Sequence, residues 1–312
     1  MRSNAPKSVK AKGLVVLRGV RQGVRPGSVW LVGAGPGDPE LLTIKALKAL
    51  QRADVVIHDG LVSDDVLALA PGSARRISVA KRKSRHSYAQ DEINRMLAAF
   101  ALEGLTVVRL KGGDPFIFGR GGEELEACRA AGVETHIIPG VTAALAAGAS
   151  AGAPLTHRGS AQAVTFVTGH AATGGEPDLD WDALARPNQT VVIYMGLSTA
   201  PAIAARLIGA GRAGSTPALI VENASREDER RIVTTLARLG EASAGLSGPA
   251  LLIVGEAMAL AQASLPPAGR ESDAEHRGVG KLAASAGAGA LQPDFPTRPA
   301  ARSFPPRRGE GS

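Results

Sequence analysis

Short apolar runs alternate with segments of helical periodicity along most of the chain, and this alternation limits the possible folds more than any other feature. Each run is rich in β-branched residues and short enough for a buried strand, and helices serve as the crossovers between parallel strands. The pattern therefore predicts an α/β protein. The predicted strands are Val29–Val32, Val55–Ile57, Val107–Leu110, Ile137–Ile138, Val164–Val167, Val191–Tyr194, Ala218–Val221 and Leu251–Val254.

A Pro-Gly step at Pro139-Gly140 divides this region, because a predicted strand ends there and a helix of small residues begins soon after. We predict an N-terminal α/β domain over residues 28–140 and a dissimilar C-terminal α/β domain over residues 141–265. Their sheets are expected to be mainly parallel or mixed, with an active-site cleft between the two domains. Such clefts bind ligands because they lie at the carboxyl ends of parallel strands.

The two ends of the chain differ in composition from the part between them. Residues 1–27 contain seven Lys or Arg and no acidic residue, and residues 266–312 contain seven basic and five acidic residues in Pro-rich text. We predict a disordered basic extension over 1–27 and a disordered tail over 266–312. The middle of the chain holds 22 basic and 24 acidic residues, so the net charge of +7 does not indicate specific nucleic-acid binding.

The first crossover has the signals of a helix start. Asp38 is a suitable N-cap, Pro39 follows it, and Leu42, Ala46 and Leu50 recur on one face. The sequence therefore predicts one helix that begins after Asp38 and packs this face on the sheet.

The loop Gly33–Asp38 stands where a dinucleotide fingerprint would, between the first strand and the first helix. Asp38 occupies the position of the third glycine, and its carboxylate would repel a pyrophosphate. The loop therefore favours a ligand without phosphates. A tight strand-to-helix turn with no ligand role is the alternative.

The segment Lys111–Glu124 has five glycines between residues 112 and 122, directly after a predicted strand. So many glycines are costly in chain entropy unless the backbone approaches something closely. Backbone carbonyls and Asp114 suit a cation or an amino-acid ammonium, and Phe116–Phe118 offer apolar walls. The alternative is a long turn before a helix that starts near Gly122.

Several classes of protein are disfavoured. Cys128 is the single cysteine, which excludes an intrachain disulfide framework and a multi-cysteine metal site, and it lies within the helical pattern Glu123–Ala131 as packing. His58, His157 and His170 lack metal-ligand spacing to it, so no metal is predicted. No apolar run suits a membrane span and no signal peptide is evident, so we expect a cytoplasmic protein without membrane contact.

Six motifs, in order along residues 28–260, resemble those of the uroporphyrinogen-III C-methyltransferases, within the tetrapyrrole methylase superfamily. The resemblance implies the tetrapyrrole methylase fold. The motifs are Val32–Pro39, Asp59–Ser63, Arg109–Phe116, Pro139–Ala143, Pro154–Arg158 and Val167–His170.

The resemblance implies an S-adenosylmethionine-dependent enzyme of porphyrin metabolism. It would methylate two ring carbons of uroporphyrinogen III, giving precorrin-1 and then precorrin-2 for sirohaem and cobalamin biosynthesis. The methyl group would move by direct displacement, without an enzyme nucleophile or a metal. The resemblance further implies a homodimer. Because the segment before residue 28 is too short for the dehydrogenase and ferrochelatase module fused to some relatives, we expect the single-function form.

The family's acid/base pair maps to Asp59 and Lys81. From the residues alone, Asp59 can equally cap the turn that follows it, and Lys81 lies in a charge run that is typical of a solvated loop. A porphyrinogen with eight carboxylates nevertheless needs cationic partners. By the same resemblance, the contacts to S-adenosylmethionine are Pro36, Gly112, Gly113, Asp114, Ile117, Thr142, Ala143, Met195 and Ala224.

Three alternatives remain open at this level. The first is a later precorrin C-methyltransferase, which would share the donor loops. The second is an RNA-modifying methylase or RNA-binding protein that uses the basic ends. The third is a ligand-binding regulator without catalysis.

Overall fold

The described part of the chain forms two five-stranded sheets, and both lie within one compact unit. The structure, a computed structural model, describes residues 26–80, 88–171 and 174–262. The first sheet is entirely parallel, with the strand order β3-β2-β4-β1-β5. Its strands are β1 (Ser28–Gly33), β2 (Val55–His58), β3 (Arg75–Ser78), β4 (Thr106–Lys111) and β5 (Glu134–Ile138).

Helices cover both faces of this sheet, which explains why β1 and β2 are almost continuously apolar. Successive residues of a strand point to opposite faces. Val32, Val56 and Val108 accordingly pack with α1 and α2, whereas Leu31 and Ile57 pack with α3 and α4. The helices are α1 (Ile44–Leu50), α2 (Asp64–Ala68), α3 (Gln90–Leu102) and α4 (Gly121–Ala130).

The second sheet is mixed, with the strand order β6-β7-β10-β8-β9. Its strands are β6 (Ala163–Thr168), β7 (Gln189–Tyr194), β8 (Pro217–Glu222), β9 (Arg230–Thr235) and β10 (Ala250–Val254). Only β6 and β7 pair in parallel, and the remaining pairs are antiparallel. One face packs on α5 (Ala143–Ser150) and the other on α7 (Ala200–Gly209). Two short helices, α6 (Trp181–Leu184) and α8 (Leu239–Ala242), complete this half.

The predicted α/β class with two dissimilar, parallel and mixed sheets is confirmed, and each predicted strand lies within an observed strand. Two further strands, β3 and β9, carried no signal in the sequence. Both are edge strands with mostly exposed or half-exposed residues, including two arginines each, so neither presents a buried apolar run. The domain limits at residues 140 and 265 stay a prediction. Residues 1–25 and 263–312 lie outside the described part of the chain.

The single helix predicted after Asp38 is wrong. The Asp38 carboxylate accepts a hydrogen bond from Glu40 N at 2.8 Å, but it caps only a 3-10 turn over Pro39–Leu41. Leu42 is then extended, and α1 begins after Thr43, whose Oγ1 accepts from Ala46 N at 3.1 Å. A second cap in the sequence therefore overrides the first.

Three loops cross backbone on backbone at the carboxyl edge of the first sheet. Gly35 and Gly113 exchange two hydrogen bonds, with N···O distances of 3.2 and 2.7 Å. A Cβ on Gly140 would lie 2.3 Å from the carbonyl oxygen of Gly113, and a Cβ on Gly33 would lie 2.5 Å from Gly140 N. The loops after β1, β4 and β5 can meet here only because Gly33 and Gly140 have no side chain.

Gly140→Ala should therefore destabilise the fold. The added methyl meets backbone atoms that cannot rotate away, so we expect a loss of about 3 kcal/mol in the free energy of unfolding, the upper end for overpacking. Gly122→Ala is the matched control. Its Cβ would meet nothing within 4 Å, and in the first turn of α4 it should raise stability by about 0.5–1 kcal/mol. Urea unfolding measures both changes, and equal stabilities would contradict the crossing.

Candidate active site

A pocket of about 950 Å³ opens between the two sheets. Its walls come from the loops that follow β1, β2, β4 and β5 in the first sheet and β7 and β8 in the second. Because all these strands end at the pocket, it has the position in which open α/β sheets bind ligands. Its volume lies at the upper end of the range for small-molecule sites.

The pocket brings together residues that are far apart in the sequence. Asp59 lies on its wall, together with every residue that the sequence resemblance assigned to the methyl donor. Lys81, the second member of the predicted acid/base pair, lies outside the described residues. The nine predicted donor contacts on the wall are Pro36, Gly112, Gly113, Asp114, Ile117, Thr142, Ala143, Met195 and Ala224.

Asp59 follows β2 directly and is held by two backbone groups. Its Oδ1 accepts from Leu61 N at 2.9 Å, and its Oδ2 accepts from Gly112 N at 3.4 Å. The residue therefore caps its own turn and also ties the β2 loop to the glycine-rich loop. This orientation leaves lone pairs on both oxygens, so the cap does not prevent a proton-accepting role.

Asp114 holds the glycine-rich loop in a similar way. Its Oδ1 accepts from Phe116 N at 2.8 Å, and its Oδ2 accepts from Gly140 N at 3.0 Å. The carboxylate thus shapes its own loop and fastens it to the loop after β5. Of the three predicted apolar wall residues, Ile117 and Phe118 line the pocket, whereas Phe116 is not among its lining residues.

The adjacent glycines of this loop are needed for different reasons. A Cβ on Gly112 would lie 2.6 Å from the Cβ of Leu61, so Gly112 gives that side chain its space. Gly113 has φ +67°, which disfavours any residue with a side chain. Its Cβ would approach no atom closer than 3.8 Å, so the space beside it belongs to the pocket.

Backbone strain is concentrated around the pocket. Among the described residues, six non-glycine residues have a positive φ, and Phe118, Arg120, Met195 and Asn223 line this pocket. Left-handed backbone is costly for Phe118, Arg120 and Met195, whereas asparagine tolerates it, and such strain is found mainly where a function or close packing maintains it. The sequence gives no signal for this strain, because none of the four is glycine.

A buried charge cluster beside the pocket was also missed by the sequence analysis. Glu124 of α4 is fully buried, and its Oε1 accepts from Arg109 Nε at 2.9 Å, Lys111 Nζ at 3.1 Å and Gln90 Nε2 at 3.3 Å. Burial is the main cause that lowers the pKa of Lys111, and the charge of Arg109 adds to it, whereas Glu124 partly offsets both. The sequence gives one sign of this cluster. Arg109 and Lys111 are two residues apart in an otherwise apolar strand, so both lie on the same face of the sheet.

A second lobe of the pocket is formed by the loop before β10, which the sequence analysis did not identify. Buried Glu222 holds this loop, since its Oε1 accepts from Ser247 N at 2.8 Å and Gly248 N at 2.6 Å. Both residues line the pocket. A single carboxylate at the end of β8 therefore positions a wall that lies 25 residues further along the chain.

The described residues contain neither a cluster of metal-ligating side chains nor a membrane-spanning helix. Over residues 26–80, 88–171 and 174–262, no cluster of three His, Cys, Asp or Glu side chains is arranged to hold a metal ion. Over the same ranges, no helix has the length and apolar character needed to span a bilayer. Cys128 is free and fully buried in α4, in agreement with the predicted packing role.

Comparison with solved structures shows the same fold in methyltransferases. The chain is 44% identical to uroporphyrin-III C-methyltransferase from Thermus thermophilus, whose structure was solved with S-adenyl homocysteine. The superposition covers 75% of this chain and 100% of that chain, with a TM-score of 0.66. A cobalt precorrin-4 methyltransferase of cobalamin biosynthesis is 31% identical, with 74% of this chain and 95% of that chain covered and a TM-score of 0.67.

The chain also resembles curated proteins that are about twice as long as the part they share with it. Siroheme synthase from Methylococcus capsulatus is 52% identical over 236 residues, which are 75% of this chain and 50% of that protein. Siroheme synthase 1 from Cronobacter sakazakii is 54% identical over 236 residues, with 76% and 50% covered. The chain spans about half the length of these relatives. The family model described as Tetrapyrrole (Corrin/Porphyrin) Methylases matches residues 28–240, and the chain belongs to this family.

Proposed function

We propose that the protein transfers methyl groups from S-adenosylmethionine to two ring carbons of uroporphyrinogen III, giving precorrin-2 by way of precorrin-1. The observation that carries this proposal is the gathering of Asp59 and the nine predicted donor contacts on one pocket wall. The substrate is supported by the 44% identity to a uroporphyrin-III C-methyltransferase whose whole chain is covered, and the donor by the S-adenyl homocysteine in that structure.

The pocket suits the donor in shape and chemistry. Gly113 exposes bare backbone with open space beside it, and Ile117 and Met195 add apolar surface. The donor would supply a sulfonium methyl that is already activated, so the protein needs no nucleophile of its own. Its residues would then act mainly by placement, holding the accepting carbon about 3–3.5 Å from the methyl group.

Asp59 is the proposed proton acceptor. Methylation of a pyrrole-type carbon leaves a positively charged ring that must lose a proton, and a fixed carboxylate stabilises that charge and accepts the proton. The hydrogen bonds from Leu61 N and Gly112 N fix the direction of this carboxylate. Lys81 is proposed as its partner by resemblance alone.

The substrate's carboxylates require cations at the pocket. Arg120 and Arg226 both line it, and guanidinium groups bind carboxylates through paired hydrogen bonds. Arg120 already forms such a pair with Glu123, which raises the pKa of Arg120. We propose that these two arginines contact substrate carboxylates at the open side of the pocket.

Assembly and location are also proposals. We infer a cytoplasmic homodimer from the resemblance to the family, with no specific nucleic-acid partner and no membrane partner. Sedimentation of the purified protein measures the oligomeric state directly.

Anaerobic incubation with uroporphyrinogen III and S-adenosylmethionine tests the function. We expect a product that carries two added methyl groups, with a singly methylated intermediate at early times, as mass analysis would show. Methylation of a later precorrin without methylation of uroporphyrinogen III would favour the alternative function, that of a later precorrin C-methyltransferase. Methylation of RNA alone would overturn the proposal.

Gly113→Leu should abolish donor binding, because the side chain fills the space beside the bare backbone. Calorimetry with S-adenosylhomocysteine measures the affinity. Gly132→Leu is the matched control: φ is +70° there, against +67° at Gly113, and its surroundings are open and outside the pocket. Both variants carry the same backbone strain. If the control still binds the ligand and Gly113→Leu does not, the loss comes from the side chain that fills the pocket and not from the strain. Equal affinities would remove this loop from the donor site.

Asp59→Asn should slow turnover far more than it weakens donor binding, because the only bond it must lose is the long one, at 3.4 Å, from Gly112 N. The amide oxygen can still accept from Leu61 N, but the side chain can no longer take up a proton, so we expect kcat to fall about 10²–10⁴-fold. Asp54→Asn is the control at the opposite end of β2, where the carboxylate accepts from Thr106 N at 2.8 Å away from the pocket. An unchanged kcat in Asp59→Asn would exclude Asp59 as the base.

A further inference from the structure

Tyr194, the last residue of β7, connects the second sheet to the helix that starts beside the pocket. Its Oη lies 2.6 Å from Thr142 Oγ1, and it also accepts from Ala144 N at 3.3 Å. Thr142 is nearly buried, whereas Tyr194 is half-buried and lines the pocket. From the sequence, Tyr194 is predicted only as the last residue of a strand.

The phenol takes the place of an ordinary helix cap. A threonine at the N-cap usually accepts a hydrogen bond from the second or third helical N–H. Thr142 holds the N-cap position of α5, but its hydroxyl makes no such bond. The second N–H of the helix, that of Ala144, is instead satisfied by Tyr194 from across the sequence.

Aromatic contacts fix the ring that carries this hydroxyl. Phe118 of the glycine-rich loop lies 5.0 Å from the Tyr194 ring centroid in a tilted arrangement, and Phe166 of β6 lies 5.8 Å away, edge to face. Such pairs add about 0.5–1.5 kcal/mol beyond simple burial. Burial also raises the pKa of Tyr194, so the phenol stays protonated and keeps its hydrogen.

We propose that Tyr194 is a positioning residue that sets the affinity for the methyl donor by holding Thr142 and Ala143 in place. The inference rests on the proposed function, which assigns these two residues to the donor. Tyr194 orients the start of α5 through hydrogen bonds, and the rings of Phe118 and Phe166 keep the phenol from turning away.

Tyr194→Phe in the full chain tests the proposal, since it removes the hydroxyl and retains the ring contacts. We expect the Kd for S-adenosylhomocysteine to rise about tenfold, the upper end for losing net hydrogen bonding. The KM for S-adenosylmethionine should rise by a similar factor while kcat stays within about twofold. A loss of general stability alone would not divide the kinetic constants in this way.

Tyr88→Phe is the matched control. Tyr88 is the other of the two tyrosines in the chain, it is 42% exposed, and it does not line the pocket. The same hydroxyl is removed from the same residue type, so we expect an unchanged Kd.

A double-mutant cycle separates positioning from a direct contact. If Tyr194 acts through Thr142, the combination of Tyr194→Phe with Thr142→Val should weaken binding by less than the product of the two single effects. Fully multiplicative effects would overturn the proposal. If Tyr194→Phe does not fold, Thr142→Val and Thr142→Ser test the same hydrogen bond from the other side: weakened binding in the first with recovery in the second supports it, and equal affinities overturn it.

The wild-type measurement keeps the two proposals distinguishable. A wild-type protein that fails to bind S-adenosylhomocysteine contradicts the proposed donor site itself. Wild-type binding that Tyr194→Phe leaves unchanged contradicts the role of Tyr194 alone.

Discussion

The close approach of bare backbone at the carboxyl edge of the first sheet is the constraint on which the rest of the site depends. Gly33 and Gly140 bring the loops after β1 and β5 against the Gly113 backbone at distances that a Cβ on either residue would prevent, and the Asp114 carboxylate fastens the Gly113 loop to Gly140 N. Because side chains are excluded from the crossing, the loops present main-chain groups to the pocket. Their geometry is set by hydrogen bonds and sterics instead of by rotamers, which favours a preformed site.

The buried cations beside this crossing have an energetic cost that packing alone would not require. Taking charges from water costs several kcal/mol for each ion, and replacing such a cluster with apolar residues is often neutral or stabilising. Glu124 neutralises only one of its two cationic partners, Arg109 and Lys111, and the charge of Asp59 on the same pocket wall also favours protonated Lys111. Arg109 and Lys111 line the pocket, so they would attract a carboxylate of the proposed substrate.

The sequence predicts those parts of the structure whose causes are local. Buried strands, the turn at Asp59 and the glycine-rich loop are visible because an apolar run, a cap or a left-handed residue is a property of a few neighbouring positions. The sequence does not predict β3 and β9, because each is an edge strand with two arginines and has no continuous or alternating apolar pattern. The ion pairs of Glu124 and the hydrogen bonds of Tyr194 cannot be predicted from the sequence, because each joins residues that become neighbours only when the sheets are assembled.

The pocket therefore has two halves that are fixed by different means. Bare backbone rigidly positions the half that belongs to the first sheet. The half from the second sheet is joined to it by side chains: Arg226 Nη2 donates to Leu61 O at 2.6 Å, and Asp38 N donates to Ser225 Oγ at 3.3 Å. Two hydrogen bonds of about 0.5–1.5 kcal/mol each can form and break on the timescale of turnover, whereas opening the glycine crossing would break several backbone hydrogen bonds at once. The side-chain contacts are accordingly where opening for the proposed macrocyclic substrate would be least costly, and the backbone proposed to bind the donor would stay in place while they yield.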